Sequence, residues 1–368
     1  MNMNRVQISK YELFSLIILF QWGTTIIFGF GANAGRDAWI ASLISTGIGT
    51  LLILLYVLIY RLGGDRTLAE WFTYAFGKWL GAPLSWLYPL VFIYNGARII
   101  SDIRFLLPVT IMNRTPDWVI GITFLAVVVY AMSGGIEVLA RIAAFTLPFL
   151  LLAIVLEMIL LGASRSLHYV NLLPIVGEGW GRIWETVWPL GIMQTYGESI
   201  EFALIWGYVS QKKGLAATAS FATLFAGFFI ALLGLLTIAG MGEAVFQQMM
   251  YPAFALLKLS KIRFIDNLDA LGIVYLVINA FIKLSMHLYA ASLCIQQLTA
   301  AKKIRPVIFV VAALALLLSL TMVVSFTEHL QVAMVAVPYH LWLPLYLVLP
   351  MIVLAVLPLR NWIAGRKL

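Results

Sequence analysis

The apolar stretch at residues 188–206 carries a group of polar residues at its centre. Its length and composition are those of a segment that crosses a bilayer. Two carboxylates at membrane depth are costly, so they normally face a cavity, a partner or a ligand. A glycine among polar residues lets such a helix unwind where it lines a cavity. The stretch therefore predicts a binding site, with the candidate residues Thr195, Tyr196, Gly197, Glu198 and Ser199.

The first apolar run, at about residues 9–34, has a similar centre. Its candidate binding residues are Gly23, Thr24, Thr25 and Ile26. Backbone N–H groups exposed at a break in this helix would hold a carboxylate. The alternative is that the small residues pack closely against a neighbouring helix and bind nothing. The matching centre of the sixth run favours a site between two broken helices.

A third set of polar residues lies on one face of the third helix. Tyr94, Arg98 and Asp102 are spaced at i, i+4 and i+8 and so share that face. One interpretation is that Arg98 and Asp102 neutralise each other within the helix. The other is that the face lines an aqueous path beside the central site, where Tyr94 closes one wall. The spacing fits both.

Other ionisable residues lie within apolar runs. Lys283 is too far from either end of its helix to reach water, so it needs a carboxylate or backbone carbonyls. The available acids are Glu157, Glu198 and Glu201. Glu157 either reaches the nearer interface or has a buried role. His287, one turn after Lys283, is interpreted as a hydrogen-bonded core histidine rather than a proton relay.

Metal and catalytic sites have little support in the sequence. The four histidines lack metal-ligand spacing with one another or with Cys294. Cys294 is the only cysteine, which excludes an internal disulfide. No pairing of a nucleophile with a base stands out, so no enzyme is predicted. We predict no cofactor, although coupling to H⁺ or Na⁺ would fit the buried charges.

Helices within a membrane must position these residues. The chain has 368 residues, 62% hydrophobic and 11% charged, with a mean hydropathy of +0.98. Its apolar runs predict ten transmembrane helices joined by short loops. Of the 24 lysines and arginines, fourteen fall on the N-terminal side of the membrane and seven on the other. This bias puts both termini in the cytoplasm and explains the net charge of +8 without a nucleic-acid partner.

Ten helices divide into two halves of five. We place one repeat at about residues 9–162 and the other at about 183–360, within a single transmembrane domain of residues 1–368. Because five is odd, the halves have opposite topology, and the first helix of each carries the interrupted polar centre. The prediction is an all-α polytopic membrane protein with the LeuT-like 5+5 inverted repeat and discontinuous helices 1 and 6.

Further expectations concern shorter segments. Residues 67–79 are amphipathic and too short to span, so they are predicted to lie along the interface before a third helix at about 83–112. Residues 241–262 are predicted to cap the site as a re-entrant or interfacial helix. The ninth and tenth helices, at about 306–326 and 338–357, are predicted to serve mostly for packing.

Short motifs in a fixed order carry a resemblance to a known family. They are Gly-Thr-Thr-Ile at 23–26, Ala-Gly-Arg-Asp-Ala-Trp-Ile at 34–40, Arg98 with Asp102, Leu-Leu-Pro at 106–108, Gly-Ile-Glu-Val-Leu-Ala-Arg at 135–141, Asn-Leu-Leu-Pro at 171–174, Tyr-Gly-Glu at 196–198, Tyr-Pro at 251–252 and Leu-Asp-Ala-Leu at 268–271. In these the chain resembles the B subunit family of spore nutrient-germinant receptors, a branch of the amino acid/polyamine/organocation permeases. Thr25 and residues 28–31 depart from the family pattern.

The resemblance implies a nutrient sensor in the spore inner membrane. Such a B subunit binds a small germinant, often an amino acid, and works with an A subunit and a lipoprotein C subunit. In our hypothesis, backbone N–H groups around Gly23, Thr24 and Thr25 take the carboxylate of the ligand. Carbonyls freed at residues 195–197, with Glu198 nearby, take its ammonium group.

Two other functions fit the same residues. One is a secondary transporter that moves an amino acid with H⁺ or Na⁺, in which Lys283 or Glu157 carries the coupling charge. The other is a ligand-gated water or ion channel along the face of Tyr94, Arg98 and Asp102. Counterflow in proteoliposomes separates a receptor from a transporter, because a receptor binds without net flux.

Overall fold

The computed structural model of the chain describes residues 6–25, 31–164, 166–249, 251–252, 255–256, 269–322, 325–363 and 365. The α-helices in these ranges are α1 (Lys10–Trp22), α2 (Ala38–Leu62), α3 (Leu68–Thr110), α4 (Asp117–Ser133), α5 (Ile136–Ala163), α6 (Trp180–Thr186), α7 (Leu215–Met241), α8 (Glu243–Gln248), α9 (Asp269–Thr299), α10 (Ile304–Thr321), α11 (Phe326–Gln331) and α12 (Leu349–Ile363). Stretches of 3₁₀- or π-helix lie at Ala32–Asp37, Tyr169–Leu172, Val187–Gly191, Gly197–Leu204, Trp206–Tyr208, Val332–Ala336 and Pro338–Val348.

Six helical stretches in the described residues are long and apolar enough to cross a bilayer: Ala32–Leu62, Ile136–Ala163, Leu215–Met241, Gly272–Thr299, Ile304–Thr321 and Val332–Ile363. Four further membrane segments do not meet this criterion of length and apolar composition, each for a local reason. α4 is apolar but has 17 residues, α3 carries buried charges, and the first and sixth segments are interrupted. These four complete the ten segments that the sequence predicted.

The first and sixth segments are both discontinuous, as predicted. α1 ends at Trp22 because Gly23 has φ 37° and ψ −128°, a conformation that L side chains rarely adopt. Helical structure resumes at Ala32–Asp37, and Ile26 lies outside the described residues. In the sixth segment α6 runs into the π-helical turn Val187–Gly191, and 3₁₀-helix begins again at Gly197.

The third segment is longer than predicted. α3 is 43 residues long and contains one non-helical residue, Gly77, with φ 79° and ψ 176°. The expected interfacial helix at 67–79 and the third membrane helix are therefore two arms of one kinked run. Its start is fixed by Thr67, whose backbone N donates to Glu70 Oε2 at 3.0 Å.

The last segment is also longer than predicted. The sequence places it at about 338–357, but the described chain is helical from Phe326 through α11 and two π-helical stretches to Ile363. Pro338 and Pro344 lie inside it. The wider π-helical turns accommodate these prolines, which lack the N–H that a regular helix needs. The added turns bring this segment against the middle of α3.

The two ends of the bundle are held differently. At one end, the distal face, Arg36 of Ala32–Asp37 and Arg182 of α6 both form ion pairs with Glu243 of α8. At the other end, the terminal face, Ile8 pairs with the backbone of Tyr208 and Ser210. Between the two faces, the helices that contain the buried polar residues pack closely against one another.

Candidate functional site

Lys283 of α9 connects the two helix breaks. Its Nζ lies 2.7 Å from Glu198 Oε2 in the sixth segment, and both side chains are buried, with 3% and 4% exposed. The two atoms are at ion-pair distance but not in hydrogen-bonding orientation. The aliphatic part of Lys283 passes over Gly23, where an added Cβ would come within 2.2 Å of its Cδ. Of the three predicted acids, Glu198 is the one that pairs with Lys283.

A second buried pair lies one turn further along the same helices. His287 Nδ1 is 2.5 Å from Glu201 Oε1, and both side chains are fully buried. His287 Nε2 lies 3.9 Å from Glu198 Oε2, so the two pairs are adjacent. The prediction of a hydrogen-bonded core histidine is confirmed. Its partner, Glu201, is one of the three acids predicted as candidates for pairing with Lys283.

The third pair joins α3 to α11. Asp102 Oδ1 is 2.8 Å from His329 Nε2, and both residues are buried. The interpretation that Arg98 neutralises Asp102 within the helix is therefore wrong. The guanidinium of Arg98 instead faces the ring of Trp342, with its carbon 5.5 Å from the ring centroid. Sequence reasoning missed His329, because nothing in its neighbours shows which helix it will face.

These groups surround a cavity of about 40 Å³. It is lined by Thr24, Asn95, Arg98, Ile99, Asp102, Gln194, Glu198, Lys283, Ala333, Met334 and Trp342. One water needs roughly 10–15 Å³ of such space, so the cavity has room for about three or four waters. Residues from both helix breaks, α3, α9 and the tenth segment meet here. The tenth segment thus lines the cavity and is not mostly a packing element.

Asn95 takes the place on the wall that the sequence assigned to Tyr94. Tyr94 is half-buried and does not line the cavity. Asn95 is buried; its Oδ1 accepts from Trp342 Nε1 at 3.1 Å and its Nδ2 donates to the Tyr346 hydroxyl at 2.8 Å. The amide of Asn95 therefore fixes Trp342 against Arg98. A one-residue change of position rotates the chosen face by about 100°, which spacing alone did not resolve.

The other candidates of the sixth segment serve mainly to hold it in place. The Tyr196 hydroxyl is 2.8 Å from Thr46 Oγ1 of α2, and Gly197 O accepts from the Tyr56 hydroxyl at 3.2 Å. Ser199 Oγ accepts from Gln21 Nε2 of α1 at 3.1 Å. These contacts tie the broken segment to α1 and α2.

The remaining candidate residues lie either close to the helix breaks or away from the cavity. Thr25 and Thr195 are buried close to the breaks, and neither hydroxyl has a hydrogen-bond partner among the described residues. Glu157 is buried in α5 but does not line the cavity. The structure thus brings Thr24, Arg98, Asp102, Glu198 and Lys283 together on the cavity wall and leaves Glu157 apart.

Comparison with known proteins gives consistent matches. A family model described as "Spore germination protein" matches residues 7–327. Spore germination protein KB of Bacillus subtilis (strain 168) is 30% identical over 352 residues, covering 95% of this chain and 94% of that protein. Spore germination protein GerQB of Bacillus cereus is 22% identical over 271 residues, covering 72% of each.

Among solved structures, the chain is similar to Mhp1, a nucleobase-cation-symport-1 family transporter in a closed conformation with bromovinylhydantoin bound. The TM-score is 0.59 at 12% identity, and the match covers 89% of this chain and 75% of Mhp1. Identity this low speaks for the fold alone. The LeuT-like fold with discontinuous helices 1 and 6 is confirmed.

Proposed function

The chain belongs to the family of spore germination proteins, integral membrane proteins with a transporter-like fold, and we propose that it is the nutrient-binding subunit of a germinant receptor. One observation carries the proposal: the two broken helices meet at a small cavity whose wall holds four ionisable side chains. Charged side chains at membrane depth are energetically costly, and for that reason they mark functional sites. The cavity is therefore the place where a small polar nutrient is recognised.

The size of the cavity suggests how binding becomes a signal. A space for about three or four waters is too small for an amino acid, so a nutrient fits a wider form of the same site. A ligand that binds one form better shifts the population toward that form. Binding of the nutrient thus favours the wider form, and the change is passed to partner subunits.

The finer parts of the proposal follow the family resemblance. The nutrient is an amino acid, and the partners are a germinant receptor A subunit and a lipoprotein C subunit. The protein lies in the spore inner membrane with both termini in the cytoplasm. Backbone groups at the two breaks hold the ligand. Because Lys283 already neutralises Glu198, the ammonium of an amino acid relies on carbonyls near Thr195.

A secondary transporter is the second candidate, because the fold is that of Mhp1. In that case the pair of Lys283 and Glu198 carries a coupling charge for H⁺ or Na⁺. Counterflow of radiolabelled amino acids in proteoliposomes distinguishes the two functions. Uptake that saturates and exchanges with internal solute favours transport, whereas binding without flux favours the receptor.

A substitution that fills the cavity tests the proposed function without knowledge of the ligand. Ala333 lines the cavity and is 4% exposed, whereas Ala336 lies three residues later on the same segment and is exposed on the bundle surface. Ala333→Leu is expected to abolish germination of spores that depend on this receptor, when they are given a mixture of amino acids and sugars. Ala336→Leu should leave the germination rate within about twofold of wild type, since surface substitutions are nearly neutral.

The two variants must be compared at equal abundance in the spore membrane. Normal germination by spores with membrane-inserted Ala333→Leu protein would show that the cavity is not the sensing site. Equal loss in both variants would point to a general packing defect of the tenth segment.

A further inference from the structure

Arg98 is the one cavity-lining charge in the described residues that lacks an ion-pair partner. The residue is 9% exposed, and its Nη1 is buried without a hydrogen-bond partner in the described part of the chain. No described carboxylate oxygen lies within 4.0 Å of its guanidinium nitrogens. Its guanidinium carbon lies 5.5 Å from the centroid of the Trp342 ring.

The neighbouring acids already have side-chain partners. Glu198 is paired with Lys283, and Asp102 is paired with His329. Glu201 lies behind Glu198, on His287. A buried charge without a partner is strongly destabilising, because no opposite charge offsets its loss of hydration. Arg98 is therefore the charged group on the wall that is left without an ion-pair partner among the described residues.

Arg104 shows an ion-paired arginine on the same helix, although its Nε, like Nη1 of Arg98, has no hydrogen-bond partner in the described part of the chain. It is 8% exposed, as buried as Arg98, but its guanidinium donates to Asp117 and to the backbone carbonyl of Ser319. The difference is that Arg98 faces the cavity and Arg104 does not. The lack of an ion-pair partner at Arg98 thus goes with its position on the cavity wall.

We propose that Arg98 is the anion receptor of the cavity and that the nutrient is a small carboxylate. This inference rests on the proposed function, because it assigns the ligand of the same cavity. A guanidinium presents its donors as a planar fork that matches a carboxylate with two parallel hydrogen bonds. Asn95 holds Trp342, whose ring centroid lies 5.5 Å from the guanidinium carbon. Gln194 and Thr24, on the same wall, contact the part of the ligand beyond its carboxylate.

The carboxylate, and not an ammonium group, is the required part of the ligand. Both acids on the wall already have a partner, Lys283 for Glu198 and the imidazole of His329 for Asp102, so the cavity offers no free carboxylate to an amine. L-lactate and L-alanine should therefore bind with affinities within about tenfold of each other. Replacing the carboxylate by a neutral amide removes a charge-assisted pair, which weakens binding by roughly 10- to 100-fold.

The test uses the full-length protein in lipid nanodiscs kept in a buffer free of chloride. The probes are acetate, L-lactate, L-alanine and L-valine, each against its own amide, with chloride and phosphate as inorganic anions. Thermal stabilisation measures binding for the wild type, Arg98→Gln and Arg104→Gln. We expect at least one acid to stabilise the wild type and Arg104→Gln, its amide to be at least tenfold weaker, and Arg98→Gln not to respond to that acid.

The stability of the unliganded variants adds a readout that is independent of any ligand. Arg98→Gln removes an unpaired buried charge, so its transition temperature should equal or exceed that of the wild type. Arg104→Gln removes paired donors and should lower it. A lower transition temperature for Arg98→Gln would overturn the inference that this charge is unsatisfied.

Three binding results would overturn the ligand assignment. They are amides that bind as well as their acids, a response to chloride or phosphate alone, and the absence of a response to every acid. None of these removes the proposed function, which the Ala333→Leu spores test without a named ligand. Conversely, carboxylate binding in nanodiscs with normal germination of Ala333→Leu spores would keep the inference and reject the receptor role.

Discussion

At the residue scale, the buried pair of Lys283 and Glu198 is the strongest link between the two halves of the site. Lys283→Met keeps the length of the side chain but leaves the carboxylate of Glu198 without its cation. Breaking a buried pair from one side costs about 3–5 kcal/mol, whereas replacing both partners is often nearly neutral. Lys283→Met is therefore expected to lower the free energy of unfolding by about 3 kcal/mol or more, and Lys283→Met with Glu198→Gln should recover most of it.

Unfolding by sodium dodecyl sulfate in mixed micelles measures these differences. Arg104→Gln serves as a reference for the loss of another buried cation on a neighbouring helix. If the double variant were as unstable as Lys283→Met alone, the two side chains would not be energetically coupled, and the 2.7 Å contact would have no role in joining the breaks.

The residue scale also marks the limit of what spacing predicts. The need of Lys283 for an acid follows from its depth in an apolar helix, and that prediction is confirmed by Glu198. The choice of Glu198 over Glu201 depends on how the sixth segment unwinds, which the sequence does not specify. The pair of Asp102 and His329 joins residues 227 positions apart, so only the packed fold reveals it.

At the element scale, the break in the first segment depends on Gly23. An alanine there would place its Cβ 2.2 Å from Lys283 Cδ and 2.9 Å from Phe20 O, in a backbone conformation with φ 37°. Gly23→Ala should therefore destabilise the protein by about 1–3 kcal/mol and displace Lys283 from Glu198. Thermal unfolding in nanodiscs measures the first effect.

A second substitution separates the two causes of that loss. Lys283→Ala removes the lysine atoms that the new Cβ would meet and leaves the contact with Phe20 O, so Gly23→Ala should cost less in that background. The coupling expected between residues in contact is about 0.5–3 kcal/mol. Strictly additive effects would mean that backbone strain alone accounts for the loss and that Gly23 does not make room for Lys283.

The breaks themselves were predictable because glycine and polar residues interrupt otherwise apolar runs. The length of the tenth segment was not predictable, because a proline such as Pro338 is typical of the first turn of a helix. The structure instead continues the helix through Pro338 and Pro344 by widening it to π-helix. That choice depends on the neighbours of the segment, among them Asn95, to which Trp342 donates. Its contribution to the cavity wall was missed for the same reason.

At the scale of the whole molecule, composition and hydropathy were enough to predict a polytopic helical protein with ten membrane segments. The resemblance in short motifs predicted the family, which the match over residues 7–327 confirms. What the sequence could not supply is the closure of the bundle at its distal face. There, arginines from two separated segments meet on the carboxylate of a third, Glu243 of α8.

That closure predicts a dependence on pH. Glu243 Oε2 is 2.6 Å from Arg36 Nη2 and its Oε1 is 2.8 Å from Arg182 Nη1, so it holds the first segment, α6 and α8 together. Burial acts to raise the pKa of Glu243, but hydrogen bonds from the two arginines outweigh it and the pKa is lowered overall. A lowered pKa means that the carboxylate stabilises the folded state above its unfolded pKa, about 4.3, and loses this effect as the pH falls through the folded value.

Hydrogen–deuterium exchange of α8, corrected for the intrinsic rate, should therefore be constant from pH 8 to about 5.5 and increase as the pH falls below about 4.3. Glu243→Gln should exchange faster at pH 7 and lack the acid-dependent step. Glu178→Gln, which removes a more exposed acid paired with the same Arg182, should retain that step. A step in the wild type centred at pH 6 or above would assign the closure to another group, because a glutamate whose pKa is lowered stays ionised there.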